Sequence, residues 1–161
     1  MRFKGAAIYE EFSSLLDGES PRGTVIVVAA FFDEMLAEKL GGLDGSFSAR
    51  INAGLANNLL TANEHRDLHE LRAMRNSFAH DLRAMEFDSA KTAQVDGLKT
   101  WQIASGELST YPRLLATPRE RLLYVASTIA VRLIGRVAKS IDPLSEPALL
   151  NVDAWPPITD R

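Results

Sequence analysis

An arginine and a histidine separated by four residues are the pair whose chemistry points most directly to a site, in the sequence R-N-S-F-A-H at positions 75–80. Cleaving RNA without a metal requires a base for the 2′-hydroxyl, an acid for the leaving oxygen and a cation beside the phosphate. His80 could act as the base or the acid, and Arg75 could hold the phosphate through two hydrogen bonds. The candidate catalytic residues are therefore Arg75, Asn76 and His80, although a second proton-transfer group would have to come from a symmetric dimer.

The element that must position this motif is a helix that begins at a capping box. Thr61 can accept a hydrogen bond from the backbone of Glu64, whose side chain can accept one in return from Thr61. The predicted helix continues to about His80. At about 100° per residue, one face of this helix forms an apolar stripe that we expect to pack in the core. Its members are Leu68, Leu71, Met74, Phe78 and Leu82.

Arg75 falls at the edge of the apolar stripe, where its guanidinium leaves the packed face. An unpaired buried charge is costly, so a partner is required. We expect a carboxylate from a neighbouring helix to provide it, with Asp33 or Glu34 as the partner.

A second, polar arc of the same helix carries every histidine of the chain, His65, His69 and His80, together with Asn76. One interpretation of this arc is a solvated face. His65 and His69 are also four residues apart and could share a metal ion, but no Asp or Glu completes a known zinc signature. The sequence therefore predicts neither a metal nor a cofactor. The third interpretation is a functional Arg/His pair at a helix end or a dimer interface.

Capping and breaking signals place the other helices. A Ser-Pro pair at 20–21 starts a helix that reaches about residue 40 and stops at a Gly-Gly pair. Its first half is apolar all round, which predicts a buried central helix. The sequence T-P-R-E at 117–120 starts a last helix that reaches about residue 140. Shorter helices are predicted over 6–16, 47–59 and 89–99, and the segment 101–116 is predicted to be a loop.

These elements predict an all-α fold, an antiparallel helical bundle of about five to six helices. One helical domain over 1–141 is followed by an extended, proline-containing tail over 142–161. The predicted core consists of apolar residues on the facing sides of three helices: Val25, Val28, Phe32, Leu36, Leu68, Leu71, Phe78, Leu122, Val125, Ile129 and Leu133.

Composition limits what the chain can do. Its 161 residues suffice for one domain with a core, and it has no cysteine, which excludes disulfides, thiolate metal sites and a thiol nucleophile. The formal net charge of −3 lacks the basic surplus of proteins that hold phosphates nonspecifically. There is no basic recognition helix, no secretory leader and no apolar run long enough to cross a bilayer. We expect a cytoplasmic protein that does not bind DNA directly.

Two resemblances narrow the function. The Arg75–His80 spacing resembles the R-x4-6-H signature of the HEPN family of small helical domains. Three sequences in order, S-F-S-A-R-I at 46–51, R-N-S-F-A-H at 75–80 and P-R-E-R at 118–121, resemble the mannitol operon repressor family of bacteria. The likeness covers about residues 27–134. It departs at Leu122, where that family usually has an aromatic residue, and the tail has no counterpart.

The second resemblance implies an all-helical, HEPN-like regulator without a DNA-binding domain. Such a regulator acts through a protein partner, for example a DNA-binding regulator, and a homodimer is left open. The alternative is a HEPN-type, metal-independent ribonuclease or toxin, and a third is a structural scaffold. The motif residues, with a binding or structural role, are Ser46, Phe47, Arg50, Arg75, Asn76, Phe78 and His80.

The S-F-S-A-R-I residues that precede the motif can also be given structural roles from the sequence alone. Ser46 is expected to be a helix N-cap, and Phe47 is expected to pack in the interior. Arg50 lies one turn further on, within reach of Asp33, Glu34 or Asp44 as a charged partner.

Overall fold

The structure is a computed structural model that describes residues 4–107 and 115–136. Within these two ranges the chain forms helices and no strand, so this part of the protein is an all-α helical bundle, as the sequence predicted. The helices number seven: α1 Lys4–Leu15, α2 Pro21–Lys39, α3 Phe47–Ala56, α4 Ala62–His80, α5 Ser89–Asp96, α6 Lys99–Glu107 and α7 Pro118–Gly135. The predicted tail lies outside the described residues. The last helix was predicted to reach about residue 140, but α7 ends at Gly135, and Arg136 is its C-cap with an extended backbone.

Local capping starts the long helices where the sequence predicted. Ser20 accepts a hydrogen bond from the Gly23 amide at 3.0 Å before α2, which has Pro21 in its first turn. Thr61 opens α4 and Thr117 opens α7, each through a complete capping box. These caps satisfy amides that have no partner inside the helix, which is why each helix begins at its cap.

Two further predicted helix boundaries were wrong. Helix α3 ends at Ala56 rather than near residue 59, because Asn58 adopts a left-handed conformation (φ 59°) that turns the chain inward. The predicted helix over 89–99 stops at Asp96, and Gly97 serves as its C-cap. Helix α6 then starts at Lys99 and occupies residues 101–107 of the segment that was predicted to be a loop.

The core forms where α4 packs against α2, α3 and α6, and α7 packs against α1. All eleven predicted core residues are buried, none with more than 3% of its surface exposed. Leu82 was wrongly placed in the apolar stripe. It is 77% exposed because α4 ends two residues before it.

The first half of α2 is less enclosed than predicted. Ile26 and Val27 are 37% and 41% exposed, and Ala30, one turn further on, is also exposed. Part of this apolar helix therefore faces outward. None of the described helices has the length and apolarity needed to cross a membrane.

Candidate functional site

The motif occupies the C-terminal end of α4. Phe78 is fully buried, Arg75 and Asn76 are half-buried, and His80 is the last helical residue and is exposed. Phe78 meets Phe87 edge to face, with ring centres 6.1 Å apart, and the ammonium of Lys91 lies 4.9 Å from the centre of the Phe78 ring. Phe78 thus joins α4 to the start of α5 and has a packing role.

Arg75 is held inside the chain, and not by a carboxylate. Its Nε and Nη2 atoms donate to Asn76 Oδ1 at 3.4 and 3.2 Å. The guanidinium carbon lies 5.7 Å from the centre of the Phe47 ring, within cation–π range. Phe47 is the first residue of α3, so Arg75 and Asn76 support the place where α3 meets α4.

The predicted pairing of Arg75 with Asp33 or Glu34 was wrong. Asp33 instead pairs with Arg50, whose Nη1 lies 2.6 Å from Asp33 Oδ1. Asp33 was one of the three partners predicted for Arg50. Arg50 also donates from Nε to the Leu43 carbonyl at 2.9 Å. Because Arg50 takes this carboxylate, Arg75 makes no ion pair with any residue in the described part of the chain.

Ser46 and Phe47 have the roles that the sequence predicted for them. Ser46 is the N-cap of α3 and accepts from the Ala49 amide at 3.2 Å, and Phe47 is buried. Together with Arg50 they fix the entry of α3, and the ring of Phe47 then supports Arg75.

The side chains of Arg75 and His80 leave α4 in different directions. Five residues at about 100° each put the two side chains about 140° apart around α4. His80 lies instead one turn beyond Asn76, and it makes no hydrogen bond or ion pair with another described residue. A phosphate bound at the guanidinium would therefore lie on a different side of the helix from the imidazole of the same chain.

The other two histidines converge on a residue that sequence reasoning did not identify. The Nε2 atoms of His65 and His69 lie 2.9 and 3.0 Å from the same atom, Asn52 Oδ1 on α3. The two rings meet edge to face with centres 4.6 Å apart. Burial lowers the pKa of His69, and the neighbouring His65 and Arg72 lower it further, so the neutral imidazole is favoured.

A buried carboxylate at the start of α4 organises the C-terminal end of α7. Glu64 is fully buried and accepts from the Thr61 amide at 2.9 Å as part of the capping box. It also pairs with Arg132 at 3.5 Å and, more closely, with Arg136. Arg136 donates in addition to the Leu59 carbonyl at 3.2 Å. The carboxylate of Glu64 is thus surrounded by donors from the N-cap of its own helix and from the C-terminal end of α7.

A second buried carboxylate, Asp67, caps α6 from a distance. Its two oxygens accept from the Lys99 amide at 2.6 Å, the Thr100 amide at 2.8 Å and the Thr100 hydroxyl at 2.6 Å. Burial raises the pKa of Asp67, and these hydrogen bonds act in the opposite direction. Asp67 supplies the cap that Leu98, the residue just before α6, cannot supply.

A signal in the sequence could have found both carboxylates. Asp67 stands at the helical spacing of Leu71, Met74 and Phe78, on the apolar stripe itself. Glu64 stands one turn before Leu68 on the same side. A carboxylate on a buried stripe requires hydrogen-bond or charge partners, which predicts tertiary contacts for both.

Beside Asp67 lies an interior cavity of about 10 Å3, bordered otherwise by apolar side chains of α2, α4 and α7 and by Leu98. Such a volume holds about one water molecule and no substrate. This cavity therefore belongs to the packing of the core.

Comparisons of the chain with protein-family models, with curated proteins and with solved structures found no match. Its function is therefore inferred from its own residues and their contacts.

Proposed function

We propose that the chain is a non-catalytic bacterial transcriptional regulator, similar to the mannitol operon repressor family, that acts in the cytoplasm through protein–protein association. The observation that carries the proposal is the position of Arg75. Its guanidinium lies over the Phe47 ring and against Asn76, in a contact that joins α3 to α4. An arginine with this position supports the fold, and the motif can be retained without catalysis.

The helical geometry gives the proposal a second support. Metal-independent RNA cleavage needs the cation and the proton-transfer group beside the same phosphate. Arg75 and His80 of one chain are about 140° apart around α4. The motif therefore has the residue types of a nuclease without their convergence within one chain.

The charge distribution supports action through a partner protein. The chain has a net charge of −3, and α3, which follows the turn after α2, has one basic residue. That residue, Arg50, is paired with Asp33. Tight operator binding depends on free cations that contact phosphates. We therefore expect the DNA contact to be made by the partner.

The outward side of α2 offers a surface for association. Ile26, Val27 and Ala30 are neighbours on this helix, and all three are exposed. Contiguous exposed apolar patches can mark protein contact surfaces. Val27, the more exposed of the two larger side chains, is the residue at which a charge should interfere most with association.

A strain that lacks the gene can test this function. Transcripts of sugar-alcohol uptake genes are measured after complementation with wild type, Val27→Glu or His80→Ala, each shown by thermal melting to be folded. We expect wild type and His80→Ala to restore repression and Val27→Glu to fail. Unchanged transcripts in the deletion strain, or restoration by Val27→Glu equal to wild type, would contradict the proposal.

A gel-shift assay tests the absence of direct DNA binding. Low salt is the most permissive condition, because phosphate contacts are strongest there. The purified chain is expected to leave duplex DNA unshifted at nanomolar concentrations. Sequence-specific nanomolar binding by the chain alone would overturn the partner-mediated model.

The second candidate function is a HEPN-type ribonuclease that uses Arg75, Asn76 and His80. One observation favours it: the imidazole of His80 is exposed at the end of α4 and open to a ligand. In a two-fold dimer, His80 of one copy would have to meet Arg75 of the other.

A further inference from the structure

Three donor atoms from two helices come together on the outside of α3 and α4. His65 and His69 occupy successive turns of α4, and both Nε2 atoms lie within hydrogen-bond distance of Asn52 Oδ1 on α3. Both imidazoles are half-buried, and Asn52 is exposed. The donors are thus held by two packed helices and remain open to solvent on one side.

We propose that Asn52, His65 and His69 form a binding site for a divalent transition-metal ion, with Zn²⁺ as the ion that this donor set fits. Imidazole nitrogen is a preferred ligand of Zn²⁺, Cu²⁺ and Ni²⁺ and a poor one for Mg²⁺ and Ca²⁺. Two imidazoles and one amide oxygen leave a fourth tetrahedral position, on the solvent side, for water. The spacing of the histidines alone did not predict this site, because the third ligand comes from another helix.

The distances between the donors are close to those of a bound metal. With metal–ligand bonds of about 2.0–2.1 Å, the donor atoms of a tetrahedral site are separated by about 3.3 Å. The two nitrogen–oxygen distances here are 2.9 and 3.0 Å. Outward movements of a few tenths of an ångström would therefore bring each nitrogen–oxygen pair to the separation found around a bound metal.

The protonation of the imidazoles agrees with this arrangement. Each Nε2 that faces the Asn52 carbonyl oxygen carries a hydrogen and donates it. When the metal binds, this proton is replaced at Nε2 and the neutral ring carries its hydrogen on Nδ1, so the ring charge does not change. A neutral imidazole is the form that can bind a metal.

Calorimetric titration with ZnCl₂ measures the site directly, and His80 provides a matched control on the same helix. The chain has three histidines and no cysteine, so few strong zinc ligands compete. We expect one Zn²⁺ per chain for wild type and His80→Ala, with equal affinity. His65→Ala and His69→Ala should each weaken Zn²⁺ binding by more than about tenfold. Substitution of a residue that only hydrogen-bonds to a metal ligand already lowers metal affinity by about 10–100-fold, and loss of a ligand itself should cost at least as much.

Substitution of Asn52 distinguishes a ligand from a neighbour. Asn52→Asp keeps the shape and places a charged carboxylate oxygen at the same point, so it should tighten Zn²⁺ binding by roughly tenfold. Asn58→Asp adds the same charge on an exposed residue just beyond α3, outside the triad, and is the control for long-range attraction. It should change the affinity much less than Asn52→Asp.

Three results would overturn the site. One is no heat of binding for wild type at millimolar ZnCl₂, and the second is equal affinity in wild type and His69→Ala. The third is an Asn58→Asp effect as large as that of Asn52→Asp, which would assign the gain to charge alone. Thermal melts without metal confirm that each variant is folded. Zn²⁺ should raise the melting temperature of wild type and of His80→Ala, whose triads are intact, more than that of His65→Ala or His69→Ala.

Discussion

The two ends of α4 use polar residues in opposite ways. At its N-terminal end, Glu64 and Asp67 are buried and fully engaged with distant parts of the chain. At its C-terminal end, Arg75 rests on an aromatic ring beside a neutral amide, and His80 is exposed without a described partner. The more conspicuous sequence motif thus makes the weaker contacts.

This contrast shows why residue type is a poor guide to energetic importance. A buried carboxylate must be matched by donors or it destabilises the fold, so Glu64 and Asp67 are coupled to other helices. An arginine at the border of the core can place its charge over a ring at modest cost. The polar groups at one end of the helix are therefore strongly coupled to other helices, and those at the other end make weaker contacts, so substitutions at the two ends should have different effects on stability.

The largest effect is expected at Glu64. Glu64→Ala removes the capping-box carboxylate and leaves Arg132 and Arg136 without this partner, so it should lower the free energy of unfolding by about 3–5 kcal/mol. Urea denaturation measures the change. Glu70→Ala on the same helix is the control and should cost less than about 1 kcal/mol. Equal losses for the two variants would remove the distinction between the buried, ion-paired Glu64 and the half-buried Glu70.

The next largest effect is expected at Asp67. Asp67→Ala leaves the Lys99 and Thr100 amides without their acceptor, and we expect a loss of about 2–3 kcal/mol. Hydrogen exchange should show the loss of protection concentrated at the start of α6. If protection falls uniformly over the chain or not at all, the long-range cap is not what starts this helix.

A smaller effect is expected at Arg75. Without a carboxylate partner, the contribution of its cation–π contact is about 0.5–1 kcal/mol, so Arg75→Ala should destabilise by about 1 kcal/mol. Thermal melts compare it with Arg66→Ala, an exposed arginine on the same helix. A loss of several kcal/mol would mean that Arg75 has the buried ion pair that the sequence suggested.

The smallest expected effect is the pH dependence of stability that Asp67, near the N-terminal end of α4, should cause. Burial raises the pKa of Asp67 above its ordinary 3.8, so the folded chain binds this proton more readily than the unfolded one. Its contribution to stability is fullest below the unfolded pKa and is lost as pH rises through the folded pKa. As the pH falls from neutral to about 4, the free energy of unfolding of wild type should therefore increase relative to that of Asp67→Asn. Urea titrations of both proteins would show a constant difference if Asp67 had an ordinary pKa.

Much of the fold could be predicted because its signals are local. The caps at Ser20, Ser46, Thr61 and Thr117 act within one turn, and the core residues repeat at helical spacing. Helix α6 could not be predicted, because its cap is Asp67, more than thirty residues earlier in the chain. The partner of Arg75 was missed for a similar reason: Arg50 takes the carboxylate that Arg75 was expected to use. Asn52 was missed because α3 and α4 must pack before its oxygen meets the two histidines.

The central claim is that the Arg75–His80 end of α4 is not catalytic, and an RNA cleavage assay tests it most directly. Single-stranded RNA is incubated with wild type, Arg75→Ala and His80→Ala, purified identically and with EDTA present. We predict that wild type cleaves no more RNA than the two variants or a buffer control. Cleavage by wild type that is lost in both variants would contradict the claim and establish the ribonuclease instead.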